Sequence, residues 1–309
     1  MMSNISSVPG GTRARRSLYW TYLVEPFLYL SPALVVIATV MLVPLVVGIS
    51  YSFQAVNVLH LEQAGWVGFE NYLALWSDRN FWVALENTLV WTFGSVFFQL
   101  ALGLGLALLL NTKFPLKKLF QALVFLPWAV PTFLSALVWA WLFNPVIGPL
   151  PHWMSALGIL DKPFNILGDP SLAIRGPIAA NIWYGVPFFA ITLLAALQSI
   201  PSELYEAADI DGASAWQSFS KITLPFLAPM ITITVMLRTI WIANFADMIF
   251  IMTAGGPANS TQILSTYIFT TAFKKLDFGY ASTLAVSLLI LLFLCAGLLM
   301  LLRRRFVKV

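Results

Sequence analysis

The chain has 309 residues, of which 60% are hydrophobic and only 10% charged, and its mean hydropathy of +0.84 is far above what a water-soluble domain can hide. Its formal net charge is +4, but the basic excess lies in short flanks of apolar runs, where it sets membrane orientation and meets anionic lipid, so no nucleic-acid partner is implied. A single cysteine, Cys295, and two distant histidines, His60 and His152, exclude a disulfide framework and leave no ligand set for a metal.

A bilayer core about 30 Å thick takes roughly 20 apolar residues per helical crossing. Six runs of that size occur, at 27–52, 87–111, 119–143, 174–199, 226–252 and 280–302. The expected fold class is an all-α membrane protein with six transmembrane helices. Residues 1–26 read as a cytoplasmic segment, 27–302 as one transmembrane domain and 303–309 as a basic tail. The first run is longer than the ~7–15 residues of a signal-peptide core and no small-residue cleavage pattern follows it, so it is expected to stay as an anchor. Arg13, Arg15, Arg16, Lys113, Lys117, Lys118, Lys221, Arg303, Arg304, Arg305 and Lys308 fall on one side of this arrangement. Arg79, Lys162, Arg175, Lys274 and Lys275 fall on the other, so both termini are expected in the cytoplasm.

On the outer side the connections at 54–86, 144–173 and 253–279 are long. The first carries an amphipathic stretch from Trp66 to Trp82. The second, with Pro145, Gly148, Pro149, Pro151, Gly168 and Pro170, reads as a turn-rich loop. Pro127 and Pro131 interrupt the third run, and Gly185 and Pro187 the fourth; they mark either a kinked bundle around a pathway or simple packing kinks. Gly103 and Gly105 in the second run read as close-packing positions. There is no internal repeat and no low-complexity tract.

Between the fourth and fifth runs, residues 200–225 read as two short helices joined at Gly212, which suits a left-handed helix end. Ser214 stands three residues before Gln217, the spacing of a capping box, and Pro225 is expected to let the chain turn into the next span. The segment is acidic, with Glu203, Glu206, Asp209 and Asp211 against Lys221, the reverse of what topology favours on this side. A helix presenting Leu204, Tyr205 and Ala208 among carboxylates fits a partner's groove with a basic rim; the alternative is a solvated connecting loop.

Glu206-Ala207-Ala208, Gly212 and Ile222-Thr223-Leu224-Pro225 resemble the EAA loop of binding-protein-dependent ABC importers. Gly68-Phe69-Glu70-Asn71-Tyr72, Asn87-Thr88-Leu89, Asp247 and Thr253-Ala254-Gly255-Gly256-Pro257 resemble the carbohydrate branch of that family, the maltose-type permeases. The resemblance implies a type I importer permease that works with a second, different permease subunit, two ATPase subunits and an extracytoplasmic sugar-binding protein. It makes Glu203, Glu206, Ala207, Ala208, Asp211, Gly212, Leu224 and Pro225 the ATPase-coupling residues. It also implies that this chain is not an enzyme and binds no cofactor, with ATP and Mg on the partner subunits. In keeping with this, the sequence has no Gly-x-x-x-x-Gly-Lys-Ser/Thr phosphate loop.

Arg238 falls about a dozen residues into the fifth run, where a lone charge costs at least ~2.5 kcal/mol and must face protein or water. Trp241, Ile242 and Phe245 follow at spacings of three, four and seven and share its helical face. In the maltose-type permeases ligand contacts come from this part of the fifth span and from the fourth. The resemblance therefore points to Arg238, Trp241, Ile242, Asn244 and Phe245 together with Tyr184, Gly185 and Phe188. Two roles stay open for Arg238: it reads an acidic group on a sugar, or it is a structural charge paired with another subunit. Asp247, nine residues on, falls on the opposite side of a continuous helix and reads as a structural position. A secondary carrier or channel explains the spans but leaves the acidic loop unaccounted for, and no span carries a catalytic cluster.

Overall fold

The computed structural model describes residues 12–159, 161 and 164–306. Of the basic residues that set the expected orientation, Lys162 and Lys308 lie outside the described residues, as do the side chains of Arg13, Arg15, Arg16, Arg303, Arg304 and Arg305. The chain divides into two units, residues 1–51 and 52–309.

The first unit is one long helix in three parts: α1 (Thr12–Ile37), a π-helical segment at Ala38–Leu42, and α2 (Val43–Tyr51). It begins well before residue 27, so the apolar run occupies only its later part. From Val24 to Tyr51 its apolar side chains are exposed, as suits a helix whose solvent is lipid. The π segment immediately precedes Val43 and Pro44. Proline lacks the N–H that an α-helix needs and its ring crowds the carbonyl four residues back, so one widened turn, closed by Val43 N–H to the Ala38 carbonyl, lets the helix continue.

The second unit opens with a two-residue hairpin, β1 (Gln54–Ala55) against β2 (Gly65–Trp66), and the short α3 (Glu70–Ser77). Asp78 caps α4 (Arg79–Asn111) by accepting the N–H of Asn80. Next come α5 (Lys117–Ala129) and α6 (Thr132–Leu142), bent by 90° at Val130 and Pro131, where one crossing was expected over 119–143. Val130 is extended because the residue before a proline is pushed out of the helical region, so the run breaks there and not at Pro127 inside α5. The expected loop at 144–173 contains α7 (Pro149–Ala156). Its Pro149 sits in the first turn, where the missing N–H costs nothing, so a proline taken as a loop signal starts a helix instead. The remaining helices are α8 (Arg175–Gln198), α9 (Ser202–Ile210), α10 (Ala215–Ser218), α11 (Leu224–Asn244), α12 (Asp247–Met252), α13 (Leu264–Phe273) and α14 (Phe278–Phe306). Among the described residues five helices are long and apolar enough to cross a membrane, and the bent α5–α6 pair makes a sixth crossing if it counts as one.

In this unit α4 lies along α8, and α11 packs against both. Gly103 permits the close approach: a β-carbon there would run into Phe189 of α8. Gly105 has open space where a β-carbon would stand and is not a packing position within this chain. The core behind this contact holds Trp91, Phe189, Leu193, Leu227, Met248 and Ile249. A second cluster at the α3 end joins Leu75, Phe81 and Ala84 to Leu264, Tyr267, Leu284 and Leu288.

Several residues of the maltose-type pattern hold this end together. Asn71 donates to the carbonyls of Ser52 and Gln54, and the Tyr72 hydroxyl lies 2.7 Å from Ser52 Oγ. Asn87 donates to the Gln262 carbonyl, and Thr88 Oγ1 accepts the Leu264 N–H at 2.8 Å. The Thr253–Pro257 stretch turns through left-handed Ala254 and Gly255 and is pinned by Thr253 Oγ1 to Thr261 Oγ1 at 2.7 Å.

Candidate transport cavity and coupling loop

The fifth run is not one helix. α11 ends at Asn244, Phe245 is extended, and α12 restarts at Asp247. The angular relation expected between Arg238 and Asp247 therefore does not hold, and Asp247 is an exposed residue in the first turn of a new helix. A broken helix leaves backbone groups without helical partners, which is tolerated in a span only beside other protein or a water-filled cavity. A cavity of about 400 Å³ lies at this break and beside the α5–α6 bend. Trp128 and Thr132 border it from either side of the bend, Asn181 and Tyr184 from α8, and Arg238, Ile240, Trp241, Ile242, Asn244 and Phe245 from the end of α11.

Arg238 is only 5% exposed. Its Nε donates to Gln99 Oε1 at 2.8 Å, and Gln99 Nε2 donates to the Asn181 carbonyl at 2.8 Å, so one amide ties α11 to α4 and α8. The guanidinium carbon sits 5.8 Å from the centre of the Phe188 ring. Phe188 in turn packs against Trp241 at 5.5 Å and Trp128 at 6.1 Å. Among the described residues no carboxylate lies within ion-pair distance of Arg238, and its terminal nitrogens have no hydrogen-bond acceptor. Asn181 Nδ2 is likewise buried without a partner. The cavity wall thus brings two indole rings, those of Trp128 and Trp241, close to the Arg238 guanidinium, a combination of aromatic surface and hydrogen-bond donor.

Of the expected site residues, Arg238, Trp241, Ile242, Asn244, Phe245 and Tyr184 border the cavity. Ile242 shapes the wall without offering surface, since it is buried and its carbonyl accepts Trp91 Nε1. Gly185 and Phe188 form a layer behind it. A β-carbon on Gly185 would collide with Gln99 and the Arg238 guanidinium, so the glycine makes room for that pair. Gln99, Asn181, Trp128 and Thr132 were missed. Gln99 and Asn181 did carry a signal, an amide inside an apolar run, where a polar group needs a reason.

The loop between α8 and α11 forms as two short helices. Gly212 has φ of +73°, Ala213 N–H reaches the Ala208 carbonyl and Gly212 N–H that of Asp209, which together make a Schellman ending. Ser214 and Gln217 exchange both bonds of a capping box. Two expectations are corrected. Pro225 does not turn the chain: a π-helical segment at Phe219–Thr223 precedes Leu224 and Pro225, and the helix runs on through it as it does before Pro44. Tyr205 does not point outward, whereas Ala208 stays partly exposed and lines a surface groove with Asp211, Gly212 and Gln217. The Tyr205 hydroxyl meets Thr223 Oγ1 at 2.8 Å and its ring packs on the core, anchoring the loop. The exposed apolar residues are Ile210 and Trp216, at 87% and 72%, with Leu204 less so. Glu203, Glu206, Ala207, Asp211 and Gly212 share this exposed surface, and Leu224 and Pro225 are exposed at its exit.

The family described as the binding-protein-dependent transport system inner membrane component matches residues 99–308, from Gln99 through the cavity, the loop and the last helix. The chain belongs to this family. It is accordingly a multi-pass protein of the inner membrane. This inner-membrane component is 36% identical over 265 residues to the trehalose/maltose transport system permease protein MalF of Thermococcus litoralis, covering 86% of this chain and 88% of that one. It is 36% identical over 259 residues to the sulfoquinovosyl glycerol transport system permease protein SmoG of Agrobacterium fabrum, covering 84% and 83%. Its fold superposes with a TM-score of 0.80 on a chain from the crystal structure of a bacterial ABC transporter involved in the import of the acidic polysaccharide alginate, at 24% identity over 96% of this chain and 100% of that one.

Proposed function

We propose that this inner-membrane component is the permease subunit of an ATP-driven importer of a sugar or sugar derivative. The observation that carries the reading is the cavity, which sits where two spans are broken and sets the indoles of Trp128 and Trp241 beside the Arg238 guanidinium, groups able to stack on a sugar ring and donate to its oxygens. The names of relatives such as MalF and SmoG, both carbohydrate permeases, support the cargo class.

In this reading the α3 end faces outward and receives a sugar-binding protein, while α9 and α10 face the cytoplasm, near Lys113, Lys117, Lys118 and Lys221. A second, different permease subunit completes the pathway. Two ATPase subunits, which hold ATP and Mg, take the exposed Ile210 and Trp216 with Glu203, Glu206 and Asp211 into a groove. When those subunits close, the Schellman turn and the Tyr205–Thr223 contact carry the movement into α8 and α11, whose far ends border the cavity, and access alternates. Tyr184, Asn181 and Arg238 then change their exposure together, because all three stand on those two helices.

A second reading concerns the cargo's charge. The position of the Arg238 guanidinium on the cavity favours a sugar bearing a carboxylate, sulfonate or phosphate, which its planar fork matches. The test is uptake by the complete complex in proteoliposomes, with neutral sugars and their acidic counterparts supplied alongside the binding protein. Uptake that requires internal ATP and is lost in Trp241→Ala while ATPase activity persists supports the importer. Uptake without ATP overturns it in favour of a secondary carrier. Neutral sugars transported as well as acidic ones remove the charge reading alone.

A further inference from the structure

The helix α3 has three faces. Asn71, Tyr72 and Leu75 dock on the rest of the unit through the hydrogen bonds at Ser52 and Gln54 and the cluster around Phe81. Glu70, Ala74 and Ser77 form a polar and small flank open to solvent. Phe69, Leu73 and Trp76, at spacings of four and three, make an apolar stripe that is 69%, 71% and 72% exposed. Nothing in the cavity or the α9–α10 loop uses this stripe.

Its position along the neighbouring span says what covers it. Trp76 packs edge-on to Trp82 at 5.1 Å, and Trp82 Nε1 donates to the Trp76 carbonyl, so the stripe is locked to the first turn of α4. From Trp82 the same side of α4 continues through exposed Leu89, Phe93 and Phe97, the side chains a membrane span turns toward lipid. Glu86 stands between them, just before the apolar run begins, and Trp82 is four residues above it, about 6 Å along the axis. That places α3 at headgroup depth, where indoles settle with their apolar rings in the acyl boundary and their edges wet. A helix with an apolar stripe, a polar flank and a firm dock lies in that plane with the stripe sunk about 5–10 Å.

We propose that α3 is an interfacial helix whose Phe69, Leu73 and Trp76 stripe is seated in the lipid headgroup boundary at this end of the protein. The membrane surface is then a ligand of the connection between β2 and α4, and the helix fixes the depth of the Asp78 cap and of everything hydrogen-bonded to it.

The proposal is tested on the whole complex in phosphatidylcholine–phosphatidylglycerol vesicles. Single cysteines replace Leu73, Trp76 or Glu70 in a Cys295→Ser background and carry an environment-sensitive fluorophore. Quenching is compared between lipids with a nitroxide near the head of the acyl chain, lipids with one near its end, and aqueous iodide. At Leu73 and Trp76 the head-proximal nitroxide is expected to quench about threefold more than the distal one, with little effect of iodide, while Glu70 shows the reverse preference for iodide. Iodide reaching all three sites alike overturns the proposal. So does shielding from both nitroxides and iodide that is relieved when the other permease subunit or the binding protein is left out, which assigns the stripe to a protein partner. Leu73 has no ring contact to lose, so its result stands even if Trp76→Cys disturbs Trp82.

Discussion

Two charges in this protein, half-buried Asp78 and buried Arg238, are treated in opposite ways. At the α3 end, Asp78 is saturated: Oδ2 accepts the hydroxyls of Tyr267 at 2.6 Å and Tyr280 at 2.7 Å, and Oδ1 accepts the N–H of Asn80. Burial opposes ionisation of this carboxyl, but the hydrogen bonds from Tyr267, Tyr280, Asn80 and Phe81 outweigh it and hold the pKa below the usual 3.8. Burial, and the bond to Asp78, push Tyr267 up in turn, so it remains a donor. At the cavity, Arg238 has one amide oxygen and the face of Phe188, and the rest of its fork is unmatched. A charge with every bond made stabilises the fold around it. In the proposed function, the charge beside the cavity is the one that meets the cargo.

That contrast is broken most severely at Arg238. Arg238→Gln is expected to lower uptake by about 100-fold, the equivalent of losing a charge-assisted bond of about 3 kcal/mol, with assembly and basal ATPase activity retained. If the complex instead fails to assemble, Arg238 belongs with Asp78 as a structural charge.

Asp78→Ala is expected to do the reverse, costing about 2 kcal/mol of stability through the lost cap and two stranded hydroxyls while transport per folded complex changes little. Thermal unfolding of the purified complex reads this. The pH dependence sharpens it. Because the folded pKa is depressed, the ionised Asp78 contributes fully above its usual 3.8, and that contribution is lost as pH falls through this value toward the lower folded one. The gap in melting temperature between wild type and Asp78→Asn should therefore narrow in acid, and a gap that widens contradicts the assignment.

The smallest change is Gly185→Ala. One methyl group must displace Gln99 or the guanidinium, both buried, so overpacking is expected to cost about 1 kcal/mol of stability and, by shifting Arg238, to weaken apparent affinity for cargo roughly tenfold. A variant with unaltered uptake would show that the position of Arg238 is not critical.

The apolar runs, the two-helix loop with its left-handed Gly212 and its Ser214–Gln217 capping box, and the family pattern were all legible in the chain alone. Each depends on local physics: the length of an apolar stretch, the φ a glycine tolerates, the reach of a side chain three residues along. Arg238 also announced itself, since a guanidinium inside an apolar run is conspicuous. Its partners did not. Gln99 lies 139 residues from Arg238 and bonds in turn to Asn181, which is 82 residues from Gln99 and between the two in the chain, so only the packing of α4, α8 and α11 brings the three together. The break at Phe245 and the inward turn of Tyr205 were decided the same way, because a helix yields where neighbouring helices and a cavity take up its backbone groups, and an aromatic ring points where the core has room for it. Periodicity along one segment carries no information about what stands opposite it, and opposite neighbours are what turned an apolar chain into a site.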